Sequence, residues 1–274
     1  ACQAIETSRL LLLSTGPRYP HGLANNNQQV GHNLLFSAGG SGYGDFEYAG
    51  MDEAWAEQMQ MRGPFVNRGL QDWYVIKQGK RRMKGGTIDF LLRHPNVIGR
   101  ANNLKWGDND QLIWGSEFKR RLYNEFTRAQ HLRYEVFCDW LPNDDCFVSL
   151  DKYVKDNWNM PVANVRIGYH DHDLEVGKFL SDQAKAVLKQ MGAGNIRGSV
   201  SGSPPQNLVA GGCRFGDDAD TSVLDRECRA HEIDNLFISD GSFMPTGGSV
   251  PYTWTIYANA FRVADKIRAQ LGIK

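Results

Sequence analysis

The stretch NLFISDGS (235–242) ends an apolar run on Asp240, Gly241 and Ser242. Read as a short buried strand, it places a carboxylate and free amides at the strand's carboxyl edge, where open α/β sheets bind cofactors. An Asp that caps a turn accounts for the same residues. The loop PTGGSVPYT (245–253) follows and runs into a helix with an aromatic first turn. Its small residues let the backbone approach a flat ligand closely.

Three further stretches carry candidate chemistry. The glycine-rich AGGCRFGDD (210–218) has amides suited to a phosphate. It lacks the Lys-Ser/Thr of a P-loop and the strand-following GxGxxG of a dinucleotide site, so a tight turn is the simpler reading. In YHDHD (169–173), His170 and His172 would share one strand face beside Asp171 and Asp173. No further cluster with ligand spacing accompanies them, and a solvated strand end is preferred to a metal. The basic run KQGKRRMKGG (77–86) reads as a solvated loop. The five cysteines are odd in number and show no CxxC spacing, which argues against a zinc site or disulfide framework. A Cys138–Cys146 bridge is geometrically open, and buried free thiols are the alternative.

These residues need elements to hold them. Residues 4–14 predict a helix with Ala4, Ile5, Leu10, Leu11 and Leu12 as its apolar positions, and the burst Leu10–Leu13 as a buried turn. HNLLFSAGGSGYGDF (32–46) reads as a strand entering a glycine-rich hairpin. A helix over 117–130, a strand over 131–140 and a strand–turn–strand over 146–169 follow. Residues 173–191 predict a helix with Phe179, Leu180, Ala184, Val187, Leu188 and Met191 on one face, stopped by Gly192. A strand-to-loop exit follows at 195–205. The last helix runs from Tyr252 to Leu271 with Ile256, Ala260, Val263 and Ile267 inward.

Composition narrows the classes. The 274 residues suffice for one large domain or two small ones, and 41% are hydrophobic. Charges balance at 31 basic and 31 acidic residues, which argues against a nucleic-acid partner. No run of eighteen apolar residues exists to span a membrane. The chain opens without Met or a signal peptide and enters a helix almost at once, so it reads as cut from something longer, or processed.

Four stretches in order, AIETSRLLLLS (4–14), GLANNNQQVGHNL (22–34), AGGCRFGDDADTSVLDRECRAHEIDNLFISDGSFMPTGGS (210–249) and TIYANAFRVAD (255–265), resemble the second half of a GMC (glucose–methanol–choline) oxidoreductase. The nearest likeness is to the bacterial glucoside 3-dehydrogenase and gluconate/sorbitol dehydrogenase large-subunit branch. The resemblance implies an α+β fold: a GMC-type substrate domain, an antiparallel sheet with helices, plus the C-terminal part of an α/β FAD-binding domain whose N-terminal βαβ unit is absent. Its divisions would be 1–44 (FAD domain), 45–204 (substrate domain) and 205–274 (return to the FAD domain). FAD is the implied cofactor. A second chain carrying the N-terminal half, a sugar or polyol substrate and a cytochrome c or quinone acceptor are the implied partners. The branch is often periplasmic.

Carried over residue by residue, Asp240 and Gly241 would meet the ribityl–pyrophosphate of FAD. Val250, Pro251, Tyr252 and Thr253 would present backbone to the isoalloxazine, with Thr7 and Ser8 near the cofactor. Gly211, Gly212 and Arg214 match the family's GG-x-R turn, and His231 matches a structural position. The family's proton-accepting His is here Leu208, and its Asn is here Pro251. Asn207 and Tyr252 are the substitutes on hand, although an amide is a poor base and Tyr252 could simply pack in the first turn. The implied activity is hydride transfer from a sugar or glycoside secondary alcohol to flavin N5. A GMC-like binding or structural subunit without redox turnover is the alternative. The Trp- and amide-rich middle suits a carbohydrate substrate, and an unrelated glycan-binding protein, which would need the motif order to be coincidental, is the third reading.

Overall fold

The structure is a computed structural model that describes residues 1–36, 38–60, 66–91, 96–107, 109–202 and 208–273. In chain order its elements are α1 (Ala4–Leu13), β1 (Leu34–Leu35), β2 (Ala38–Glu47), α2 (Glu53–Gln60), β3 (Val66–Leu70), β4 (Val75–Gln78), β5 (Arg81–Lys84) and β6 (Gly86–Leu91). Then come α3 (Val97–Asn103), α4 (Gly115–Thr127), β7 (Ala129–Cys138), β8 (Phe147–Lys155), β9 (Pro161–Arg166), α5 (Asp171–Gln190), β10 (Gly194–Val200), β11 (Ala210–Gly211) and α6 (Thr253–Gln270).

β7 is the central strand because it alternates. Leu132, Tyr134, Val136 and Cys138 point to one face and are buried, while Arg133 and Glu135 point to the other. It pairs antiparallel with β2 on one side and β6 on the other, and the full sheet runs β10-β2-β7-β6-β3. α5 covers one face through Val176, Leu180, Ala184 and Leu188. The sequence expectation put a hairpin in the glycine-rich stretch, but 38–47 is one unbroken strand. Gly40, Gly42 and Gly44 stand at every second position, with Gly39 beside them, and the space there is already filled: a Cβ on Gly42 would sit 2.4 Å from the Tyr134 ring. The expected boundary at residue 44 falls inside this strand.

A second core gathers α1, the segment 208–244 and α6 around Leu11, Leu35, Leu224, Ile238, Phe243, Tyr252 and Val263. A smaller cluster of Ala4, Leu34, Phe36, Trp140, Cys146 and Val148 joins it to the β8–β9 hairpin. Arg9 fastens α1 to that hairpin, donating to Asp156 Oδ2 at 2.6 Å and to the Pro161 carbonyl at 2.8 Å.

Several local expectations change. Leu10 is exposed, while Leu11 is buried and Leu12 packs half-buried against the same core. NLFISD forms no strand: its one bridge joins Phe237 to Arg229, because the partner it meets is the irregular 228–230 turn. His170 and His172 do not share a strand face, because the backbone is already turning into α5. His170 is the N-cap in a capping box with Asp173, and His172 lies in the first helical turn. The basic run is no loop but the β4–β5 hairpin. All five cysteines are free, and Cys138 and Cys146 lie in different clusters. Burial pushes the Cys138 thiol up to about 12. Among the described residues, no helix is long and apolar enough to cross a membrane, and no group of His, Cys, Asp or Glu could hold a metal.

Tyr134 passes between two glycines and donates to or accepts from Ser181 Oγ at 2.7 Å. A Cβ at Gly198 would lie 1.9 Å from its hydroxyl oxygen. Gly198→Ala is therefore expected to destabilise the protein by about 1–3 kcal/mol. Urea unfolding measures it, and the cost should shrink in a Tyr134→Phe background.

Candidate functional site

The segment Asp240–Phe243 forms a 3-10 turn whose N-cap is Asp240. The Asp240 carboxylate is buried, and burial raises the pKa of an isolated carboxyl. Here four donors outweigh burial. Ser242 contributes its amide at 2.8 Å and its hydroxyl, Thr7 its hydroxyl, and Cys2 its amide at 2.8 Å. The net effect holds the Asp240 carboxyl below its usual range. Both oxygens are engaged within the chain, and Gly241, Ser242 and Phe243 are themselves buried. Gly241 keeps that backbone close-packed, since a Cβ there would lie 3.2 Å from the Val209 carbonyl.

The GG-x-R turn docks against the same place. Cys213 donates its amide to the Ser242 carbonyl at 3.0 Å, and Phe215 to the Phe243 carbonyl at 2.9 Å. Gly211 and Gly212 adopt φ of 72° and 91°, in the region that favours glycine. A side chain on Gly212 would strike Ser8 Oγ at 2.5 Å. Ser8 is itself buried and donates to the Ala4 carbonyl at 2.9 Å. Thr7 and Ser8 thus lie under the turns as fasteners. Arg214 spends its guanidinium on the Thr221 carbonyl at 2.8 Å and on Gln29, and His231 Nε2 lies 2.9 Å from Ser222 Oγ.

Residues 244–252 lead from the 3-10 turn to α6. Ser249 is buried, and its Oγ has no hydrogen-bond partner among the described residues. Val250 is half-buried, and Pro251 and Thr253 are exposed. The N-cap of α6 is Tyr252, which supplies no side-chain cap, so the first-turn amides are not closed off by a side chain. Tyr252 itself is 2% exposed and packs in the core with Leu11, Phe243 and Val263. That is the placement of a packing residue. Leu208 is half-buried against the same core with φ 52°. Asn207 lies outside the described residues.

The structure brings together Asp240, Gly241, Thr7, Ser8, Gly211, Gly212 and the loop through Thr253. It adds two residues that the sequence reading passed over. Lys84, at the end of β5, donates to Asp139 Oδ2 at 2.7 Å and to the Gly247 carbonyl at 3.2 Å. Lys84 stood in a basic run and Asp139 at the end of a strand, and no short-range pattern links either of them to residue 247.

Residues 142–260 match the GMC oxidoreductase family profile. Over those residues the chain is similar to the C-terminal domain of GMC oxidoreductases. Along nearly its whole length the chain is 28% identical to the 2-methyl-1,2-propanediol dehydrogenase of Mycolicibacterium austroafricanum, covering 97% of this chain and 47% of that protein. It is 27% identical to the fructose dehydrogenase large subunit of Gluconobacter japonicus, over 97% of this chain and 46% of that one. The formate oxidase of Aspergillus oryzae, a structure concerned with FAD modification, superposes with a TM-score of 0.57 at 15% identity. That match covers 98% of this chain and 53% of the oxidase. The chain thus spans about half the length of the relatives it matches. A further structure, described as an FAD-dependent oxidoreductase from Chaetomium thermophilum, superposes with a TM-score of 0.52 at 14% identity over 99% of this chain and 55% of that one.

Asp240 generates a stability prediction. Asp240→Ala leaves its donors unpaired and is expected to cost about 3 kcal/mol, with Asp240→Asn costing about half of that. The ionised carboxylate contributes fully above the free-Asp value of 3.8, and that contribution is lost as pH falls through its lower folded value. Denaturation followed from pH 7 to pH 2 should show an acid-side slope that the Asn variant lacks.

Proposed function

We propose that this GMC domain forms one wall of an FAD site in an oxidoreductase that oxidises the carbinol carbon of a sugar, polyol or related alcohol. The observation that carries the reading is the convergence of the Asp240–Ser242 turn and the uncapped start of α6 on one loop. The buried Asp240–Ser242 turn would back the cofactor from beneath, its Ser242 amide and carbonyl being bonded within the chain, and the loop beyond it carries the donors. The partnerless Ser249 hydroxyl and the first-turn amides of α6 offer donors for the edge of a ring. Bound there, the flavin would supply a two-electron acceptor that takes hydride at N5. The chain's own part is to seat the ring by its backbone and to exclude bulky side chains through Gly247 and Gly248.

The rest of the FAD site would come from a second body, another chain or a further part of the same protein. Support lies on α6, which buries Ile256, Asn259 and Val263 on one side. On the other it exposes Trp254 at 82%, Tyr257 and Phe261 at 76%. An aromatic stripe at i, i+3 and i+7 on a helix already packed on its opposite side suits a covered surface. The "large subunit" relative accords with a heteromeric enzyme, and a cytochrome c or quinone is the acceptor we infer. The five-stranded sheet with α5 would be the substrate domain, its division falling before β2 rather than at residue 44.

Two residues favour a second reading, a flavin-binding or structural subunit with little turnover. Leu208 and Pro251 have no group that can accept a proton, and Tyr252 faces the core. General-base help is worth about a hundred- to ten-thousandfold in rate. Colour separates the readings: the full protein should purify yellow and bleach anaerobically with an aldose or polyol. Retention of the yellow colour with every alcohol tried supports the subunit reading, and failure to take up FAD overturns the oxidoreductase reading. Leu208→His should speed bleaching about a hundredfold or more. The left-handed backbone at 208 suits His better than Leu, so the change carries no backbone cost.

A further inference from the structure

Residues 245–251 join the Asp240 turn to α6 without secondary structure, and among the described residues no backbone–backbone hydrogen bond is made by them. Among the described residues, their one side-chain hydrogen bond comes from outside: Lys84 Nζ reaches the Gly247 carbonyl, 163 residues away in sequence, at 3.2 Å. Lys84 is held in place by Asp139, the first residue after β7, whose side chain is only 7% exposed. The Asp139 carboxyl is itself a tight fit. Its second oxygen is buried with no hydrogen-bond partner among the described residues, and a Cβ at Gly247 would lie 3.0 Å from that oxygen. Burial pushes its carboxyl above the usual range, and Lys84 works against that. A carboxylate kept buried with one oxygen unpaired is an expense that local stability does not explain, because an apolar pair of the same size would pack as well.

We propose that Lys84 and Asp139 are a positioning pair, a latch from the sheet onto residues 247–250 that sets where this loop stands against the flavin. The proposal rests on the reading that this loop faces FAD. The geometry supports it from three sides. The β5 end, the β7 exit and the loop meet at one carbonyl. The loop has no other polar anchor among the described residues. The fastened residue also comes only two positions before the partnerless Ser249. Lys84 is partly exposed, so its charge costs little to keep, while Asp139 fixes its direction.

The test compares the full protein with Lys84→Met, Lys84→Arg, Asp139→Asn and Asp139→Glu. Hydrogen exchange of the peptide covering 246–252 needs no flavin. It should rise about tenfold in Lys84→Met and Asp139→Asn and stay near wild type in Lys84→Arg, with exchange in β6 and β7 unchanged. In flavin-loaded protein the same two variants should shift the visible flavin band and slow bleaching about tenfold, with the alcohol KM unchanged. Exchange that is unaltered by Lys84→Met overturns the latch. Faster exchange with an unchanged flavin band and bleaching rate overturns its positioning role. If wild type takes up no FAD, the functional reading fails, while the exchange result still decides whether the latch exists.

Discussion

A buried negative charge must be surrounded by donors, and the donors around Asp240 come from separate parts of the chain. Cys2 and Thr7 belong to the start of α1, and Ser242 belongs to the turn that Asp240 itself caps. The carboxylate therefore joins sequence positions more than 230 residues apart at one point. The GG-x-R turn adds its amides to the same turn's carbonyls, and Ser8 fills the space beneath Gly212. The architecture of the candidate site follows from satisfying this one group. The turn itself is buried, and the polar side chains beneath it are engaged with each other.

The two cores are built on different rules. In the sheet, strict alternation on β7 and glycines on β2 decide which face meets α5, and Tyr134 fills the space that those glycines leave. Around Asp240 there is almost no regular structure, and order comes from hydrogen-bonded turns that a few left-handed glycines permit. The β8–β9 hairpin packs Val148 with Leu34 and Phe36 while Arg9 of α1 grips its turn.

Much of this was legible in the sequence. The helix at 171–190, the strand–turn–strand at 147–166 and the last helix carry periodicity strong enough to read without tertiary information. The glycine-rich strand was not legible as a strand, because glycine signals a turn locally, and its use here depends on a tyrosine ninety residues away. NLFISD is the reverse case: its composition is that of a strand, yet the neighbours needed to make it one do not come from this segment of chain. Around the site, the DGS turn and the loop before α6 stood out from their small residues. Lys84 and Asp139 did not, since a salt bridge between distant segments leaves no mark on either segment's pattern. Tyr252 drew attention through its hydroxyl, and its ring turned out to be what the fold uses.

The last helix has a consequence for how such a chain behaves by itself. With Val263 and Ile256 turned to the core and Trp254, Tyr257 and Phe261 to solvent, the first turns of α6 carry large apolar residues on both sides. A helix of that kind is sticky until it is covered. In a crowded solution its aromatic stripe would recruit other apolar surfaces, including another molecule's own stripe, so the yield and dispersity of the chain would depend on how soon its covering body arrives. The residues that complete a flavin enzyme in company are, in isolation, the ones that set the chain's solubility.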